Sequence, residues 1–246
     1  MTQLKAKFGA GLSGGLVRRS RRPKGRSAFT LLETMFAMII IGVGVLAFVD
    51  AQASFQKSNA WSSQAATGML LANEVRELAQ RLGRHDPVTG LVLTGTNPGV
   101  LTGWGRETGE ITIDDIDDLD DLDGVTFGDG GTFAGPVNAF GLLVPETQLD
   151  GTVINDEDGE PLGLRGWRQT VTVQKCDPYN FNTIRGDAYV QAATTSLPAI
   201  PVDGFPLRIT VVVDYTPVNG SQAIEITRLT WVVPTDPIAS GTGVVP

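Results

Sequence analysis

The chain has 246 residues, enough for one globular domain with accessory segments, and a formal charge of −8 from 27 acids against 19 Lys and Arg. An acidic balance argues against nucleic-acid binding, which needs a basic footprint. Cys176 is the one cysteine, so no intrachain disulfide can form.

Residues 1–28 are rich in Gly, Ser and Arg and read as a disordered leader. All eight of their charges are basic: Lys5, Lys7, Arg18, Arg19, Arg21, Arg22, Lys24 and Arg26. The other eleven bases face all 27 acids, so the part from Phe29 onward carries about −16. From Phe29 an apolar run of 21 residues reaches Val49, with neither charge nor proline over 34–49. That is about the 20 residues a helix needs to cross a bilayer, and a lone spanning segment must be helical to satisfy its backbone. Lys and Arg beside a membrane segment stay cytoplasmic, which places the remainder on the far side. Glu33 interrupts the run near its start. An unpaired carboxylate is expensive there, so a partner is expected. A cut before Phe29 would create a free α-amine close by.

With Phe-Thr-Leu-Leu-Glu at 29–33 behind a basic leader, the stretch resembles the type IV pilin and pseudopilin family over roughly residues 26–56. The resemblance implies that a prepilin peptidase cuts after Ala28 and methylates the Phe29 amine. It implies that Glu33 serves subunit assembly by pairing with the Phe29 amine of a neighbouring subunit. The implied partners are other pilin or pseudopilin subunits, the prepilin peptidase and an inner-membrane assembly platform. The implied location is the inner membrane, with the head outside the cytoplasm, followed by a filament in the periplasm or at the cell surface. The chain would then be a structural subunit of a type IV pilus or type II secretion pseudopilus. Two positions depart from the usual pattern: Ala28 stands where Gly is common, and Asp50 where major pilins carry a kinking proline. The second departure looks more like a minor pilin or pseudopilin.

A second reading is an ordinary signal peptide. Ala51-Gln52-Ala53 supplies a small-x-small site, leaving a secreted or single-pass binding or adhesion protein that begins at Ser54. The apolar stretch over 34–49 is 16 residues, beyond the roughly 7–15 of such a peptide. Glu33 also has no purpose in it. The pilin-type reading is preferred.

Past the membrane run, helical patterning continues over 51–82. Phe55, Ala65, Met69, Ala72, Val75, Ala79 and Leu82 recur mostly at three- and four-residue steps, with charges between them. Gly83 takes the position of a helix-ending glycine. From 29 to 82 such a helix is about 80 Å long at 1.5 Å per residue.

Residues 83–166 hold 17 of the 30 glycines, which predicts loops and short strands, with 91–93 and 140–144 as candidates to pair. Strands are predicted over 167–175, 207–215 and 223–233. In the first, Val171 and Val173 alternate with Thr170 and Thr172. Asn219-Gly220 reads as the hairpin turn between the last two. The fold class is therefore α+β, a long N-terminal helix packed against a C-terminal antiparallel β-sheet head. Its parts are a leader over 1–28, a helix over 29–82 with 29–49 in the membrane, and a β-rich head with Gly-rich loops over 83–246.

Residues 113–125 repeat in threes, and seven aspartates fall within 114–123: Asp114, Asp115, Asp117, Asp118, Asp120, Asp121 and Asp123. Hard oxygen donors at this density suit Ca²⁺, although the spacing is not that of an EF-hand loop. A solvated acidic loop with no cofactor is the preferred reading and Ca²⁺ the alternative, to which the resemblance adds that some pseudopilin heads hold calcium. His85, just past the helix, is expected to interact with its C-terminal end. Cys176, at a strand end, reads as a packed thiol. No nucleophile elbow, zinc motif or phosphate-binding loop occurs, and no enzyme is expected.

Overall fold

The computed structural model describes residues 30–95, 99–218, 220 and 222–235. Ala28 and Phe29 at the expected cut, and Asn219 of the expected turn, lie outside the described residues. Helix α1, Leu31–Ala79, is continuous, and the chain divides into two compact units whose boundary falls after Phe55.

In the first unit every described residue is exposed, including Phe36, Ile40, Val43 and Leu46. An apolar surface of this length with nothing of its own to cover it has the length and composition to cross a membrane.

The second unit begins inside the same helix. Its patterning there narrows to one stripe, and Leu71, Ala72, Val75, Leu78 and Ala79 are buried in a common core with the sheet. The sheet is antiparallel, in the order β3 (Thr126–Gly128), β4 (Trp167–Asp177), β6 (Leu207–Tyr215), β7 (Ile224–Val233), with β5 (Asn180–Ile184) paired to the end of β4. β4 and β6 alternate buried and half-buried residues along their length, as period-two sequences must when one face meets a core. Val171 lies opposite Val211 and Val173 opposite Ile209, so the core is built from cross-strand pairs. β7 continues the sheet with Trp231 opposite Ile209. The β6–β7 turn is closed by Gly220 N–H donating to Pro217 O at 2.8 Å.

One buried polar side chain ties three segments together. Gln169, on β4, donates through Nε2 to Leu71 O of the helix (2.8 Å) and Val137 O (3.0 Å), and its Oε1 accepts from Val137 N–H (2.7 Å). Gly68 has a similar role in shape. A Cβ there would come within 2.7 Å of Ile226 Cγ2, so the bare glycine lets β7 lie close to the helix.

Three local expectations need correction. The helix ends at Ala79, and its last turn tightens through Arg81 N–H to Leu78 O and Leu82 N–H to Ala79 O. Gly83 does not cap it; Gly83 N–H donates to Asp117 O and Gly83 O accepts from Leu119 N–H, forming a parallel bridge with the acidic segment. Residues 91–93 do pair, but in a small hairpin of β1 (Val92–Thr94) with β2 (Val100–Thr102). Residues 140–144 form no strand and contribute only an isolated bridge, Leu143 to Val137.

Candidate functional site

Two places carry unusual charge. The first is the start of α1. Glu33 lies in its first turn, where a carboxylate favours the helix dipole. Its backbone N–H donates to Thr30 O at 3.0 Å. The side chain is exposed, and among the described residues no cation lies within ion-pair distance.

The second place is the aspartate segment, and it is not a solvated loop. Its apolar residues at every third position, Ile116, Leu119, Leu122 and Val125, are buried in the core. Two short 3₁₀ turns, Ile113–Asp115 and Asp120–Leu122, lie in this stretch, the second carrying the buried Leu122. At three residues per turn, side chains three apart eclipse one another. The intervening aspartates are then distributed among different tasks, and Asp118, Asp120 and Asp121 are fully buried.

Four of the seven hold structure or point away. Asp115 Oδ2 accepts from Thr112 N–H (2.8 Å) and Thr112 Oγ1 (2.7 Å), closing the first turn. Asp123 Oδ1 accepts from Val173 N–H at 2.8 Å, docking the segment on β4. Asp120 Oδ1 is 2.6 Å from His85 Nδ1, and its Oδ2 accepts from Gly105 N–H at 3.1 Å. His85 therefore partners a buried carboxylate and the Trp104 ring, 6.2 Å between centroids. Asp114 is exposed.

The remaining three come together. Asp121 N–H donates to Asp118 Oδ1 (3.0 Å), while Asp121 Oδ2 accepts from the N–H groups of Asp117 (3.3 Å) and Asp118 (3.4 Å). Asp117, Asp118 and Asp121 each bring an oxygen within 4.8 Å of the others', and Glu107, Glu110 and Asp121 do the same. Glu107 and Glu110 come from a preceding turn closed on itself by Glu107 N–H to Glu110 Oε2 at 2.7 Å. No aspartate repeat marks that turn, and sequence reading missed both residues. Their Glu-x-x-Glu spacing is too common to have singled them out.

The electrostatics follow from burial and like charge. Burial, then Asp120, pushes the Asp118 carboxyl up to about 8. Burial and Glu110 bring Glu107 up to about 7 and Asp121 up to about 6. Asp117 is raised as well, by burial and then by Asp86 and Glu110.

Elsewhere, Lys175 on β4 is fully buried, donates through Nζ to Asp187 O, and stands 5.2 Å over the Trp104 ring. Cys176 is buried, with Sγ donating to Pro206 O at 3.4 Å, the packed thiol expected.

Comparison with known proteins finds one match. Residues 23–49 fit the prokaryotic N-terminal methylation motif, which is the type IV pilin and pseudopilin signature. No curated protein and no solved structure matches the chain.

Proposed function

We propose that this chain, which carries the N-terminal methylation motif, is a minor pilin or pseudopilin, a structural subunit of a type IV pilus or a type II secretion pseudopilus. The observation that carries the reading is Glu33, the single charge in the exposed apolar half of α1 before Asp50, within the motif at 23–49. A prepilin peptidase cuts the Ala28–Phe29 bond and methylates the new amine. The subunit rests in the inner membrane by its helix, with the acidic head outside the cytoplasm. The assembly platform then draws it into a filament.

In the filament, Glu33 pairs with the Phe29 amine of a neighbouring subunit. The apolar surface that faces lipid before assembly faces other helices afterwards, so burial of that surface is nearly unchanged by the transfer. A charge pair in such a setting sets axial register more than it adds stability. The absence of a proline at Asp50 is in keeping with a minor subunit.

Mass spectrometry of the protein from its native host tests the reading. A mature chain beginning at N-methylated Phe29 is expected, and a chain beginning at Ser54 would replace it with a signal-peptide protein.

A further inference from the structure

We propose that Glu107, Glu110, Asp117, Asp118 and Asp121 form a Ca²⁺ site in the head, with Asp121 belonging to both of its three-carboxylate groups. Acidic residues in proximity would not by themselves point to an ion. The independent observation is that buried carboxylate oxygens face this place with no hydrogen-bond partner. Asp118 Oδ2, Asp121 Oδ1 and both oxygens of Glu107 are buried and unpartnered, and the side chains of Asp118 and Asp121 are fully buried. Buried polar groups are nearly always satisfied, so each such oxygen requires an explanation.

Three physical points select a hard cation. First, the donors are all carboxylate oxygens, with no thiolate or imidazole among them, which suits Ca²⁺ or Mg²⁺ over zinc or copper. Second, within each three-carboxylate group the oxygens lie within 4.8 Å of one another, which fits a sphere with metal–oxygen distances of about 2.3–2.6 Å, whose opposite ligands are roughly 5 Å apart. Third, the charges acting on Glu107, Asp118 and Asp121 are those of other carboxylates. A divalent cation supplies the opposite charge that this group of carboxylates lacks. Calcium is preferred to magnesium because carboxylates carried on turns and irregular backbone impose no octahedron, and Mg²⁺ demands one at shorter distances.

The ion would have a defined mechanical effect. It would cross-link the turn carrying Glu107 and Glu110 to the segment that bridges Gly83, four residues past the end of α1. Calcium would thereby fasten the acidic segment where the chain leaves the helix. The proposal stands independently of filament membership.

The test uses the full chain, purified in detergent and stripped with chelator. Adding CaCl₂ to a hundredfold excess over Kd should raise the melting temperature by about 5–10 °C. Asp121→Asn should abolish that rise while melting in chelator at or above the parent, since it removes a repelling charge. Glu107→Gln, on the other segment, should also abolish it and serves if Asp121→Asn fails to fold. Asp114→Asn, at an exposed aspartate outside both groups, should keep the full rise. An unchanged melting temperature in CaCl₂ would overturn the proposal. So would an equal rise in MgCl₂ or in NaCl of matched ionic strength, or a rise retained when Asp121 or Glu107 is neutralised.

Discussion

Gln169→Leu should strip the head of the polar tie between helix, sheet and loop. The substitution removes three hydrogen bonds of 2.7–3.0 Å, to Leu71 O, Val137 O and Val137 N–H. At about 1 kcal/mol net for each, that is roughly 3 kcal/mol. The two carbonyls are hurt least, because Leu71 O lies inside a helix and accepts there as well. Val137 is buried, so its N–H becomes an orphan that costs about 1–3 kcal/mol more. Leucine returns about 1.5–3 kcal/mol through apolar burial. The balance is a loss of about 1–4.5 kcal/mol, centred near 3, which for a chain of this size lowers the melting temperature by roughly 6–12 °C at the centre of that range. Circular dichroism melts of the full chain in detergent measure it. Gln174→Leu is the control: it lies on the same strand, half-buried, and accepts only from Arg208 Nη2 at 2.9 Å. Its cost should stay below about 1 kcal/mol. Equal effects at the two positions would refute the reasoning, because burial and satisfaction would then make no difference.

Glu33→Ala should leave membrane insertion intact, since it removes only a cost of burial, but leave a neighbour's amine unpaired. Breaking one half of a buried charge pair costs roughly 3–5 kcal/mol. Co-purification with partner pilins should therefore collapse, and normal recovery would exclude the pairing role. Lys175 gives a pH signature. Its burial outweighs the nearby acids Asp187, Asp120 and Asp203 and brings the amine down to about 8, against 10.5 for an unperturbed lysine. Between those values the unfolded chain binds the extra proton, so stability should rise with pH from about 8 to 10.5, by an amount on the order of 3 kcal/mol. Urea titrations across that range should show the rise in the parent and its loss in Lys175→Met, where the buried Cys176 thiol, pushed up by burial, leaves only a fall with pH; a rise retained in Lys175→Met would contradict the burial argument.

The sequence by itself determined the parts whose signal is local. Phe-Thr-Leu-Leu-Glu behind a basic leader, and an apolar run of membrane length, identify the N-terminal motif without any knowledge of the head. The strands over 167–175, 207–215 and 223–233 were legible for a similar reason. Alternation records which face meets a core, and the structure places them at Trp167–Asp177, Leu207–Tyr215 and Ile224–Val233. The Gly-rich stretch over 83–166 carries no such record. There the contacts that dock the chain reach far along it: Gly83 meets Asp117, and Asp123 holds Val173. Only tertiary structure could decide which of seven similar aspartates would be buried. It alone could bring Glu107 and Glu110 to Asp121, and spend Asp115, Asp120 and Asp123 on a turn, a histidine and a strand. The repeat of three marks a set of equivalent acids, and only the core on one side of it makes them different.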